Sequence, residues 1–75
     1  MPYIAIKSYP KDEETKKKLV EKINEDLMEI CGLPQGAVTI SYEEVKPEDW
    51  EEQVVKKEIR PNAEKMYILG GEKKY

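Results

Sequence analysis

Along the first nine residues the side chains alternate. Pro2, Ile4, Ile6 and Ser8 fall on one face of an extended chain and Tyr3, Ala5, Lys7 and Tyr9 on the other, the period-two signature of a strand. Pro10 closes that strand. Asp12 is an N-cap type that accepts a bond from the next turn, and Glu13 and Glu14 suit the positive end of a helix dipole. Leu19, Val20, Ile23, Leu27 and Ile30 then recur at spacings of three and four, which predicts an amphipathic helix with that stripe buried. Gly32 is placed to take the left-handed conformation just beyond the helix, and Leu33-Pro34-Gln35-Gly36 reads as a turn. A second strand is expected from Ala37 to Val45, with Val38, Ile40 and Tyr42 set against Thr39, Ser41 and Glu43.

Together these segments predict a β-α-β unit. Its helical crossover requires parallel strands with a right-handed connection. Beyond it, Pro47 suits the first turn of a second helix whose apolar side is Trp50, Val54, Val55 and Ile59, with Pro61 ending it near Ile59. Met66-Tyr67-Ile68-Leu69 predicts a short tail strand before Gly70-Gly71, with the charged last residues frayed. The fold class is α/β (α+β), a single domain over residues 1–75.

Length and composition narrow the function. A 75-residue chain buries too small a share of its surface to be comfortable alone. One cysteine, Cys31, and no histidine exclude an internal disulfide and the usual zinc ligand sets, so oligomerisation is the expected support. Charged residues form 39% of the chain, interspersed, with a net charge of -3, which gives no electrostatic basis for binding nucleic acid. No apolar run reaches membrane-spanning length and no secretory signal opens the chain, so no membrane partner and a cytoplasmic location are expected. Lys16-Lys17-Lys18 read as a solvated helix face balanced by nearby acids, Glu43-Glu44 as the charged exit of a strand, and Cys31 as a small semi-buried residue.

Met1-Pro2-Tyr3-Ile4 opening a strand, an amphipathic helix, Gly32-Leu33-Pro34, and a second strand ending before Trp50 resemble the 4-oxalocrotonate tautomerase family. The tail Pro47-Glu48-Asp49-Trp50, followed by Glu58-Ile59-Arg60-Pro61, resembles its longer-tailed subgroup. That resemblance implies a homodimer, with the hexamer of shorter-tailed relatives as the other assembly. It also implies a tautomerase without cofactor or metal, acting on a small enol or dienol carboxylate. After removal of Met1, Pro2 would be its catalytic base, because a proline at the chain start carries a secondary amine.

The resemblance implies substrate-binding roles for four further positions. Lys11 stands where family members carry an arginine that grips the substrate carboxylate, but a lysine lacks the two-pronged guanidinium fork. Thr39 stands where a strand arginine polarises the substrate carbonyl, and a threonine brings no charge to that task. Arg60, Lys7 or backbone N–H groups are then the expected replacements. Trp50 matches the aromatic wall of the pocket. The departure at Thr39 keeps two other readings open: a hydratase or dehalogenase using protonated Pro2, and a low-activity module that binds small carboxylates.

Overall fold

The computed structural model describes residues 1–75, which form two compact units, Met1–Val45 and Lys46–Tyr75. In the first, β1 (Tyr3–Ser8), α1 (Glu13–Cys31) and β2 (Thr39–Glu44) make the β-α-β unit. The strands are parallel, with Tyr3 opposite Thr39, Ile4 opposite Ile40 and so on to Ser8 opposite Glu44. The ladder extends one step at each end, through Thr39 N–H to the Pro2 carbonyl at 3.1 Å and Val45 N–H to the Ser8 carbonyl at 2.8 Å. β2 is shorter than the expected 37–45 because Ala37 is still tied to the preceding turn, its N–H donating to the Pro34 carbonyl at 3.3 Å.

Both helix signals operate as read. Asp12 is extended (φ -69°, ψ 157°) and accepts the Thr15 N–H at 3.3 Å and the Thr15 hydroxyl at 2.5 Å, satisfying donors that have no partner within the helix. At the other end Gly32 has φ 65°, and its N–H reaches back to the Met28 carbonyl. A side chain is disfavoured in that conformation.

The helix face corrects one expectation. Val20, Ile23 and Leu27 are half-buried, but Leu19 is 41% and Ile30 82% exposed, and no residue of α1 is buried. A 19-residue helix is about 28 Å long, whereas six-residue strands extend about 20 Å, so Ile30, next to the last residue of the helix, lies at an end the two strands do not cover. The buried apolar residues of the chain are Ala37, Val45 and Val54. Cys31, expected to be semi-buried, is exposed.

The second unit begins with α2 (Pro47–Trp50), widens into a π-helical run (Glu51–Ile59) and tightens into a 3-10 segment (Arg60–Lys65). Val54 is its buried anchor. The helical turns therefore continue past Ile59, contrary to the sequence expectation. Pro61 sits in the first turn of the 3-10 segment, where a missing N–H costs nothing. The actual break is Asn62 (φ -114°, ψ 20°), whose side-chain amide donates to the Glu58 carbonyl at 2.8 Å.

The tail is a hairpin and not one strand with a frayed end. β3 (Ile68–Leu69) pairs antiparallel with β4 (Glu72–Lys73) across Gly70 (φ 57°) and Gly71 (φ 83°). Two consecutive positive φ values are what a two-residue hairpin turn needs.

Candidate active site

Pro2 is half-buried at the head of β1, with Met1 attached to its nitrogen. In that form the nitrogen is an amide with no basic lone pair. Its carbonyl is fixed by the Thr39 N–H, so the ladder brings two of the residues singled out in the sequence together. Thr39 is exposed and shares the solvent face of the sheet with Tyr3, Ser41 and Glu43. On that face the Tyr3 hydroxyl lies 3.5 Å from Ser41 Oγ, and Lys7 Nζ lies 3.9 Å from Glu43 Oε1.

Lys11 is exposed and lies beyond the opposite end of the same strand. From Pro2 to Ser8 the chain advances about 20 Å, farther than one small acid spans. Within a single chain, therefore, Pro2 and Lys11 are not brought together. Trp50 is half-buried and closes α2, while Arg60 is exposed and paired with Glu51 at 3.3 Å. Both belong to the second unit.

The structure adds a polar cluster that the sequence did not disclose, at the C-terminal ends of the paired strands. Glu44 Oε2 accepts the backbone N–H of Lys11 at 3.1 Å and holds Lys16 Nζ at 3.1 Å, while Glu13 holds the same ammonium at 3.4 Å. Lys16 also lies over the Tyr42 ring, 5.9 Å from its centroid. The Tyr42 hydroxyl is 2.6 Å from Ser8 Oγ, which donates in turn to the Tyr9 carbonyl at 2.7 Å. The Lys11 N–H and the Lys16 ammonium hold the Glu44 carboxyl below its ordinary range, because both stabilise the charged form. The Glu44 carboxylate in turn holds the Lys16 ammonium above its ordinary range, opposed by desolvation and aided by Glu13. Hydrogen bonds from Thr15 lower the Asp12 carboxyl.

Beside this cluster a groove of about 370 Å³ is lined by Glu13, Lys16, Lys17, Val20, Ile40 and Tyr42. It follows the helix side of β2 and is not lined by Pro2. No group of three or more His, Cys, Asp or Glu side chains is arranged to hold a metal ion, and no helix is long and apolar enough to cross a membrane.

A proline directly after Met1, at the head of a parallel β-α-β unit, is the arrangement that comparison with known proteins resolves. A family model described as a tautomerase enzyme matches residues 1–51. The chain belongs to the tautomerase family. A tautomerase PptA of Enterobacter sp. is 31% identical over 68 residues, covering 88% of this chain and 90% of its own. A tautomerase PptA of Pectobacterium atrosepticum is 29% identical over 66 residues, covering 85% and 87%. A probable tautomerase of Xylella fastidiosa is 28% identical over 67 residues, covering 88% and 82%. The protein is thus a tautomerase-type enzyme, an isomerase with the family's β-α-β fold. The matched segment includes Pro2, Lys11, Thr39 and Trp50 and stops before Arg60.

Proposed function

We propose that this tautomerase interconverts the keto and enol forms of small enol or dienol carboxylates, with the amine of Pro2 as general base once Met1 is removed. The whole chain, residues 1–75, acts as one domain. The observation that carries the reading is the position of Pro2, directly behind a removable methionine and at the head of β1, where the Thr39 N–H anchors its carbonyl. Removal of Met1 turns the amide into a secondary amine. An α-amino group titrates near about 8, and burial disfavours its charged form, which brings the base toward neutral pH, where proton transfer is efficient. The Pro2 nitrogen takes the enol hydroxyl proton, the oxygen lone pair forms the carbonyl as the C=C electrons move to carbon, and the Pro2 ammonium returns the proton to that carbon and is again a free amine. The net change is an isomerisation and consumes no co-reactant.

Lys11 supplies the point charge for the substrate carboxylate, Thr39 an uncharged polar group, Trp50 an apolar wall, and Arg60 a second cation. Because Pro2 and Lys11 lie at opposite ends of β1, a working site takes Lys11 from a second copy of the chain. The large apolar side chains left open, Tyr3, Leu19, Ile30, Tyr67 and Ile68, support such a homo-oligomer, and the longer tail favours a dimer. The location we assign is the cytoplasm.

The test is ketonisation of phenylenolpyruvate, followed by ultraviolet absorbance, with mass spectrometry establishing that Met1 is gone. Pro2→Ala is expected to lower kcat/KM by about a hundredfold or more, the usual contribution of a positioned general base. Equal rates for wild type and variant overturn the reading.

A further inference from the structure

Glu44 is a β2 side chain that reaches across to the start of α1, and it does so at the residue just ahead of the helix cap. The Lys11 N–H lies outside the helix and follows Pro10, which has no N–H of its own. Glu44 Oε2 is its hydrogen-bond partner. The same carboxylate, with Glu13, engages Lys16. The Lys11 ammonium, by contrast, forms no ion pair within the chain and stands exposed. One carboxylate thus fixes the backbone from which one lysine projects and occupies the neighbouring lysine. We propose that Glu44 is a positioning residue, which holds the Lys11 backbone so that Lys11, and not Lys16, meets the substrate carboxylate.

The inference rests on the role given to Lys11 above. Its structural content is local. Asp12 caps α1 through Thr15, and the β1–β2 ladder is made by backbone groups, so neither depends on Glu44. Losing the carboxylate therefore frees the approach to the helix without releasing the helix or the sheet. A residue that acted only on stability would change the melting temperature and leave substrate selection alone. A residue that aims Lys11 would change affinity for acids specifically.

The experiment measures kcat and KM for phenylenolpyruvate and for its methyl ester, which lacks the carboxylate, in wild type, Glu44→Ala, Glu44→Gln, Lys11→Ala and the Lys11→Ala/Glu44→Ala double variant. Loss of one charge-assisted hydrogen bond is expected to raise KM for the acid about tenfold in Glu44→Ala, with kcat and the ester unchanged. The amide introduced by Glu44→Gln keeps an oxygen acceptor for the Lys11 N–H but not the charge that engages Lys16, so the KM of that variant should fall between those of wild type and Glu44→Ala. In the Lys11→Ala background, Glu44→Ala should add nothing, since coupled residues do not act additively. If Glu44→Ala raises KM equally for acid and ester, lowers only kcat, or adds fully to Lys11→Ala, the positioning role is overturned while Lys11 keeps its own. If Lys11→Ala leaves the KM of the acid unchanged, the assignment of Lys11 falls and takes the role of Glu44 with it. Should Glu44→Ala fail to fold, Glu44→Asp replaces it, because a side chain one methylene shorter withdraws the acceptor from the Lys11 N–H, and the same KM shift is expected.

Discussion

Mixing a Pro2→Ala chain with a Lys11→Ala chain converts the length of β1 into a measurable fraction of activity. The two residues flank a six-residue strand and are about 20 Å apart along it. A site that uses both must take them from different copies. When the two variant chains are unfolded together and refolded at equal concentration, each site draws its proline and its lysine independently. About one site in four then receives intact Pro2 from one chain and intact Lys11 from the other, whether assembly stops at a symmetric dimer or continues to a hexamer built from the same contact. The expected rate at substrate well below KM is about a quarter of wild type, after subtracting the residual rates of the two variants refolded separately. The assay is again ketonisation of phenylenolpyruvate, with wild type taken through the same refolding as reference. If both residues served one substrate from a single chain, no mixed assembly would contain an intact site. A mixture no faster than the mean of its parents would therefore refute the shared site, and with it the argument from strand length.

Two further outcomes follow from the caps and the charge cluster. The Glu44 carboxyl titrates below its ordinary range when folded, so its contribution to stability is present above the unfolded value and is lost as pH falls through the folded one. Melting temperature should drop below about pH 4 in the wild type and drop less in Glu44→Gln, and parallel curves would contradict the linkage. Gly32→Ala places a Cβ where nothing lies within 4 Å but on a backbone at φ 65°. Its cost is conformational, about 1 kcal/mol, read by urea unfolding, and an unchanged midpoint would show that the left-handed cap is dispensable.

The parts of the fold legible in the sequence are those with local causes. Alternation along β1 and β2, spacing of three and four along α1, the Asp12 cap and the Gly32 exit each depend on neighbours within a few residues. The helical turns running through Pro61 escape such a reading because the residue before proline is usually driven out of helical geometry, yet proline fits the start of a new segment. The tail hairpin has its signal in Gly70-Gly71, but two-residue strands carry too little alternation to stand out. The Glu44 cluster is not legible at all. It depends on a register that brings Ser8 level with Glu44 and on the start of α1 lying over that end of the sheet, and no run of residues encodes either. Likewise the openness of Leu19 and Ile30 reflects what a single chain cannot cover.

The proposed sharing of the site also accounts for where the charges are. The residues that flank Pro2 in the sheet, Tyr3 beside it in β1 and Thr39 opposite in β2, are uncharged. The first unit's charged groups at the far end, Glu13, Lys16 and Glu44, lie well beyond a Debye length of about 8 Å. Within the paired strands no carboxylate lies beside the Pro2 nitrogen, which suits a base that must be neutral near pH 7. Placing the cation on a second copy brings the whole cluster to the site with Glu44 already engaged by Lys16 and by the Lys11 N–H. What that end then presents through Lys11 is an unpaired positive charge, which attracts the substrate's carboxylate and further disfavours protonation of Pro2. The same reasoning makes Thr39 intelligible. A charge on β2 next to Pro2 is unnecessary for binding if the cation arrives from the partner.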